Sequence, residues 1–329
     1  MNNKSILITG GTGTLGKALT EFILKNFPGV KKIIIYSRDE QKQFQMSNQF
    51  NASIYPQMRY FIGDIRDEKR LERALKEVDY VIHCAAMKHV PIAEYNPDEC
   101  IKTNVFGAQN IIEMAIKNGV KKVVALSTDK ASSPINLYGA TKLTSDKLFI
   151  AANNIKGNSP IAFSVVRYGN VMASKGSVIP FFYEQKKTGE IPITDPEMTR
   201  FNITIDEGVK LIIYALENSI GGEIYVPKIP SYNIVDLAEA IAPEAKKVIV
   251  GIRPGEKVHE EMISITDSYN TYDIGKYFII SNNSERLNRH LKTSYNGIKN
   301  IKGQSYNSKD NLDRETVDSL KLKLIPYHE

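Results

Sequence analysis

The stretch "SILITGGTGTLGKAL" runs from an apolar segment into a cluster of glycines and then into a helical pattern. No other feature constrains the fold as much. Gly11, Gly13 and Gly16 fit the spacing G-x-G-x-x-G, and Gly10, Gly13 and Gly16 fit G-x-x-G-x-x-G equally well. In either spacing glycine allows a tight turn, close approach of backbone to a pyrophosphate, and close packing of helix on strand. The helix start then adds free N–H groups and the positive end of its dipole. Gly10, Thr12, Gly13, Thr14, Leu15 and Gly16 are therefore expected to cradle the phosphates of a dinucleotide.

The following residues repeat the same rhythm. "SILITG", "KKIIIYS", "MRYFIGD", "DYVIHCAA", "KKVVALST" and "IAFSVVRYGN" read as strands rich in β-branched residues. Continuous apolar runs of this kind suit a parallel sheet covered on both faces. Helical patterns at 14–26, 39–49, 67–77, 97–118 and 137–153 separate them. The alternation predicts an α/β fold, a doubly wound parallel sheet with right-handed crossovers. After residue 170 the rhythm gives way to an irregular stretch rich in Gly, Pro and Thr. Helices near 206–218 and 233–241 and strands at "EIYVPK" and 247–252 follow. The expected organisation is a dinucleotide-binding domain over 1–170, with 203–220 returning to it, a smaller substrate-binding lobe over 171–284, and a loosely ordered polar tail over 285–329 that stiffens at "TVDSLKLKL".

Composition narrows the function. The 329 residues are 42% apolar and 24% charged, as in soluble globular proteins. No run of eighteen apolar residues suggests a membrane span, and "MNNKSILITG" does not read as a signal peptide. Cys84 and Cys100 form no disulfide framework or metal pattern, so no metal and a reducing cytoplasmic setting are expected. The net charge of +6 is spread among interspersed acidic residues. With no Trp and no nucleic-acid-binding motif, no nucleic-acid partner is expected.

The end of the second strand selects the nucleotide. An acidic residue there would accept from the ribose 2′-hydroxyl of NAD. This chain has "YSRDEQK", so Ser37 and Arg38 come first and Lys42 lies one helical turn on. A guanidinium can pair bidentately with a 2′-phosphate, which favours NADP. Asp39, one position along, leaves NAD as the alternative. Asp64, in "GDIRD", is placed either to contact the adenine amino group or to cap the next helix.

The richest chemistry lies in "STDKASSPINLYGATK", residues 127–142. Tyr138 and Lys142 form Y-x-x-x-K on one helical face. A phenol with a pKa near 10 needs an adjacent cation to act as a base. Thr128 ends the preceding strand and offers a hydroxyl to the same oxygen. The set suits oxidation of a secondary alcohol to a ketone. A simple dehydrogenase would not require Asp129 and Lys130. Beside a ketone, a C–H becomes acidic enough for a positioned base, and an acid can expel a β-hydroxyl as water. Lys130 is the candidate base, expected to be neutral with Lys142 as a cationic neighbour, and Asp129 is the candidate acid.

These segments, with "FIGDIRD", "AAMKHVPIAEYNPDECIKTNVFGAQN", "VVRYGNV", "GSVIPFF", "IPITDPEMTRFNIT" and "GIRPGEKVHEEMI", resemble the extended short-chain dehydrogenase/reductases. The resemblance is closest to the inverting UDP-N-acetylglucosamine 4,6-dehydratases and spans roughly residues 5–263. It implies a Rossmann-type fold and an NADP cofactor recycled in each turnover. It also implies oxidation at sugar C4, deprotonation at C5, loss of water from C6, and hydride return to C6, with inversion at C5. Thr128, Tyr138 and Lys142 would serve C4, Asp129 the C6 hydroxyl, and Lys130 the C5 proton.

On the same grounds Ile65, Ala85, Ala86 and Lys88 would join the cofactor site, with Lys88 also flanking the sugar. Asn170, Lys175, Gly176, Ser177, Thr194, Arg200, Arg253 and Glu256 would hold the nucleotide sugar. Ala173 and Lys175 stand where the family commonly has a Gly–Ser–Arg loop, and Asn202 stands where an aromatic residue is usual. The resemblance further implies a homo-oligomer, with a hexamer as one option, and a place at the start of pseudaminic acid synthesis for flagellin glycosylation. Two other readings stay open: a nucleotide-sugar 4-epimerase, which would not need Asp129–Lys130, and an NADP-binding redox sensor without catalysis.

Overall fold

The structure is a computed structural model that describes residues 1–174, 176–281, 287 and 299–327. Lys175 and much of the expected tail lie outside the described residues.

The first half alternates as its sequence periods predict. In order come β1 (Ser5–Thr9), α1 (Thr14–Asn26), β2 (Lys32–Ser37), α2 (Glu40–Gln49), β3 (Met58–Ile62), α3 (Glu68–Ala74) and β4 (Tyr80–His83). After α4 (Val90–Tyr95), the region read as one helix over 97–118 is instead α5 (Pro97–Ile101), a π-helical turn (Lys102–Phe106) and α6 (Gly107–Lys117). Asn104 explains the broken register. Its amide accepts from Met87 N at 2.8 Å and donates to Met87 O and Thr141 Oγ1 at 2.9 and 3.0 Å. Those bonds pull the turn toward the loop after β4, and a π turn widens the helix at that point. Then follow β5 (Lys122–Leu126), a 3-10 turn (Asp129–Ala131), α7 (Leu137–Ile155), β6 (Ala162–Val166) and β7 (Asn170–Val171).

The stretch expected to be irregular contains α8 (Val178–Lys186), β8 (Glu190–Ile193) and β9 (Thr199–Ile203). After it come α9 (Ile205–Asn218), β10 (Glu223–Pro227), β11 (Ser231–Asn233), α10 (Ile234–Ile241) and β12 (Lys246–Ile249), the last shorter than its apolar run suggests. The remainder holds β13 (Glu261–Ile263), α11 (Ile265–Ser268), β14 (Thr271–Asp273), β15 (Tyr277–Ser281), β16 (Lys299–Asn300), β17 (Tyr306–Asn307) and α12 (Val317–Leu324).

The main sheet has the order β16-β14-β15-β10-β6-β5-β4-β1-β2-β3. From β3 to β10 the neighbours run parallel, whereas β15, β14 and β16 extend the sheet antiparallel. Strand order reverses between β1 and β4, so the carboxyl ends of the strands open a crevice there, where such sheets bind ligands. The fold is thus the doubly wound Rossmann-type arrangement of the extended short-chain dehydrogenase/reductases.

A second apolar cluster lies beside this core, built on Met172, Ile179, Phe182, Ile191, Ile193, Leu237 and Ile241 and closed by Leu320 and Leu324 of α12. Its small sheets pair β11 with β9 and β9 with β7, and β12 with β8. The chain passes back and forth between the two regions. It leaves the main sheet at β6, returns at β10, leaves again for β11 and α10, and returns at β14 and β15. The C-terminal residues are part of this packing: Ser308 is fully buried and bonds Thr199 Oγ1 at 2.7 Å.

Candidate active site

At the cofactor end, Gly13 is the N-cap of α1 with no side-chain cap, and the first turn carries no acidic residue. The free N–H groups of that turn are left for an anion. A Cβ on Gly16 would sit 2.3 Å from Gly11 O, so only glycine lets α1 start this close to the loop. Thr12 Oγ1 and Ser37 Oγ are 3.0 Å apart, joining the glycine loop to the tip of β2. Thr14 is exposed and Leu15 half-buried, while Ile65 is buried under the loop after β3.

Asp39 is committed elsewhere. Its Oδ1 accepts from Lys42 N at 2.9 Å, capping α2, and its Oδ2 lies 2.7 Å from Lys42 Nζ. Arg38 is exposed, with its guanidinium 3.6 Å from Asp64 Oδ2. Asp64 does not cap α3, which Asp67 does; it pairs with Arg66 at 2.7 Å. Ala85 is half-buried after β4, with Ala86 and Lys88 exposed beyond it.

The catalytic candidates converge where β5 ends. Thr128 caps the 3-10 turn, accepting from Lys130 N at 3.3 Å, and donates to Asp129 Oδ1 at 2.9 Å. The same Thr128 hydroxyl acts on the Tyr138 phenol and favours its ionised form. Helix α7 carries Tyr138 here because Asn136 caps it, accepting from Gly139 N at 2.7 Å. A Cβ at Gly139 would lie 2.2 Å from Lys130 O, so this glycine lets the first turn of α7 press on the 3-10 turn. Burial pushes Tyr138 up to about 12, an effect that Lys130 and Thr128 only partly offset. Lys142 is buried one turn on, and burial lowers its pKa.

Asp129 is fully buried, and burial, with Glu260 nearby, raises its pKa against the pull of Lys130. That is the direction an acid needs. Lys130 departs from expectation. Burial disfavours its charge, but Asp129 and Glu260 outweigh burial and hold its ammonium above the ordinary lysine range. Its Nζ lies 3.1 Å from Asp129 Oδ1 and 3.1 Å from Glu260 Oε1. The cationic neighbour that opposes its charge is Arg200 rather than the expected Lys142.

Beside this cluster opens a cavity of about 490 Å³. Asn170, Gly176, Ser177, Thr194, Arg200, Arg253 and Glu256 all line it, together with Phe181 and Met198. Asn170 and Arg200 join it to the cluster: Lys130 Nζ lies 3.5 Å from Asn170 Oδ1, and Arg200 Nε lies 3.8 Å from Glu260 Oε1. Arg253 and Glu256 approach to 3.8 Å at its edge. Ala173 beside the cavity has φ 50°, a conformation that favours glycine.

Three functional candidates escaped the sequence reading. Glu260 lay unmarked in "HEEMI". Asn104 lay inside an expected helix. Tyr232, buried beside Arg200, Lys130 and Asn170, was not singled out. No local spacing marks these residues, because each reaches the site through the fold.

Among the described residues no group of His, Cys, Asp and Glu could hold a metal ion, and no helix is long and apolar enough to cross a membrane. The chain is 56% identical over 317 residues to the inverting UDP-N-acetylglucosamine 4,6-dehydratase of Campylobacter jejuni, covering 94% of each chain. It is 41% identical over 330 residues to the UDP-glucose 4-epimerase of Rickettsia canadensis, covering 98% of this chain and 96% of the relative. The X-ray structure of Pen from Bacillus thuringiensis superposes with a TM-score of 0.90 at 38% identity, over 99% and 98% of the two chains. A family model described as polysaccharide biosynthesis protein matches residues 6–282. With the Rossmann-type sheet and the Thr128–Tyr138–Lys142 set in place, the chain belongs to that polysaccharide biosynthesis protein family and to the extended short-chain dehydrogenase/reductases.

Proposed function

We propose that the protein is an NADP-dependent inverting UDP-N-acetylglucosamine 4,6-dehydratase, a hydro-lyase. One observation carries the reading: a buried acid, Asp129, and an amine, Lys130, sit 3.1 Å apart beside the Tyr138–Thr128 pair and at the end of the cavity. The relative at 56% identity bears that activity in its name. The glycine loop fits a dinucleotide, and Ser37, Arg38 and Lys42 with a committed Asp39 support NADP over NAD. Bound nicotinamide supplies a hydride acceptor for sugar C4 and a hydride donor for C6.

The chain's own residues move protons. Tyr138 takes the proton of the C4 hydroxyl, with Lys142 behind it on the same helix face. Lys130 takes the C5 proton and Asp129 gives a proton to the departing C6 oxygen. Asp129–H beside neutral Lys130 holds the same protons as the ion pair, so one transfer over 3.1 Å prepares both groups. Thr128, which donates to Asp129 Oδ1 at 2.9 Å and acts on the Tyr138 phenol, is the relay between the two. Along it the C4-hydroxyl proton reloads Asp129 and leaves in the water. Lys130 then returns a proton to C5 from the opposite face. Arg200, Arg253, Asn170 and Glu256 hold the UDP moiety, with Gly176, Ser177 and Thr194 lining its path, and Lys88 and Lys175 are the further candidates for contacts to the nucleotide sugar.

In this reading the enzyme works in the cytoplasm as a homo-oligomer, with a hexamer as one option, at the start of pseudaminic acid synthesis. A second reading, a 4-epimerase, is favoured by the relatives at 41% identity that carry that name. Incubation with UDP-N-acetylglucosamine and NADP in deuterated water separates the two. The expected product is a 4-keto-6-deoxy sugar with inverted configuration and deuterium at C5. A C4 epimer with an intact C6 hydroxyl would overturn the proposal.

A further inference from the structure

The adjacent carboxylates in "HEE" split into two environments: Glu261 opens β13 and accepts from Ser132 and Ser133, whereas Glu260 is 2% exposed and faces the active-site cluster. A buried carboxylate needs partners or it becomes a large cost. Glu260 Oε1 has two cationic ones, Lys130 Nζ at 3.1 Å and Arg200 Nε at 3.8 Å, while its Oε2 has no hydrogen-bond partner among the described residues. The backbone around it is fixed: Glu260 N donates to Ser308 Oγ at 2.9 Å, and Ser308 N donates back to Glu260 O at 2.8 Å. Ser308 is itself locked to Thr199.

A structural salt bridge would satisfy Glu260 with one arginine. Here Arg200 spends its Nη1 on Thr199 O and Val258 O, at 2.7 and 3.0 Å, and leaves the closer contact to Lys130. We propose that Glu260 is a positioning residue for the dehydration step: it holds the Lys130 amine against the sugar and sets its strength as the C5 base. The inference rests on the dehydratase reading above and goes beyond it by naming the group that controls Lys130.

The chemistry follows from charge. When Lys130 takes the C5 proton it becomes an ammonium, and the carboxylate 3.1 Å away stabilises that form. The same carboxylate also favours the ammonium before the step, so its gain to the reaction is to keep the amine in place while the proton is transferred. Asp129 Oδ1 accepts from both Thr128 and the amine, but Asp129 must give up its proton in the same step, so its charge changes while the amine has to be held. Glu260 keeps its charge throughout: burial raises its pKa, but Lys130, Arg200 and then Lys257 outweigh burial and keep it low. The charged and titratable groups around the amine are Asp129, Glu260, Arg200, Lys257, Tyr138 and Tyr232.

The test compares wild type, Glu260→Gln and Glu260→Asp with UDP-N-acetylglucosamine and NADP in deuterated water, measuring kcat, KM and C5 deuterium uptake against pH. In Glu260→Gln, kcat and C5 exchange are expected to fall by about tenfold or more with KM nearly unchanged. The basic limb of the kcat profile is expected to move down by about one pH unit or more, since the lost anion no longer raises Lys130. Glu260→Asp is expected to restore the position of that limb with intermediate kcat. A merely structural glutamate would lower the amount of folded enzyme and leave the limb where it is. An unmoved limb in folded Glu260→Gln overturns the inference; if the glutamine variant does not fold, Glu260→Asp with kcat and C5 exchange equal to wild type overturns it. Failure of the wild type to form a 6-deoxy product would instead overturn the dehydratase reading.

Discussion

Asp146 Oδ2 lies 3.3 Å from Arg167 Nη2, and the two side chains are only 2% and 3% exposed. The pair ties α7, which carries Tyr138 and Lys142, to the end of β6. Ser127 Oγ donates to the same Asp146 oxygen at 2.7 Å, and Arg167 Nη1 reaches Met262 O at 3.0 Å. Removing Asp146 leaves the buried Arg167 only the longer contact to the partly exposed Asp267 Oδ2 at 3.4 Å and the Met262 carbonyl. Asp146→Ala is therefore expected to cost about 3–5 kcal/mol in urea unfolding. A cost below about 1 kcal/mol, the range of exposed pairs, would show that water reaches the pair.

His83 gives an acid sensitivity. It is buried at the end of β4 and bonded to Thr9 Oγ1 at 2.8 Å. Burial, reinforced by Lys142, pushes its pKa from 6.5 down to about 3. Above the unfolded value both states are neutral and the residue adds no pH dependence. As pH falls below it, the unfolded chain binds a proton that the folded chain refuses, so stability drops by up to about 1.4 kcal/mol per pH unit. Between pH 6 and pH 4 the Tm of wild type should fall more steeply than that of His83→Asn. Parallel curves would contradict this.

Arg38 tests the nucleotide preference. If it holds a 2′-phosphate, Arg38→Ala removes a charge-assisted contact of about 2 kcal/mol, raising Kd for NADP roughly thirtyfold. Affinity for NAD should change little, and calorimetric titration of both nucleotides reads the difference. Equal losses for the two would indicate that Arg38 acts on the adenosine common to both.

The C-terminal helix carries weight that its polar surroundings conceal. Leu320 and Leu324 are fully buried against the second apolar cluster. Leu320→Ala is expected to lower stability by about 2–5 kcal/mol, the usual range for a buried leucine. A change under about 0.5 kcal/mol, as at surface sites, would mean that α12 does not seal that cluster.

These contrasts show what the sequence could reveal. The strands and helices up to residue 166 were legible because apolar runs and 3.6-residue periods are local signals, and α1 begins and ends where its pattern predicts. The cavity residues were legible by resemblance: Asn170, Arg200, Arg253 and Glu256 are spread over 87 positions of sequence yet line one space. The charge state of Lys130 was not legible, since it depends on Glu260, 130 residues away, brought close by β13 and the Ser308 anchor. The π turn was equally hidden, because Asn104 distorts its helix through bonds to Met87 and Thr141 rather than through any helix-breaking residue.

The repeated passage of the chain between the main sheet and the second cluster has a mechanical consequence. No single cut frees one half intact: removing residues 1–166 would strip β10 of β6, the parallel neighbour it aligns with at Ile224 and Tyr225, and leave β15 and β14 fastened to an orphaned edge. The two walls of the cleft are stitched together by several backbone strands, so the enzyme must be inherited, folded and lost as one piece.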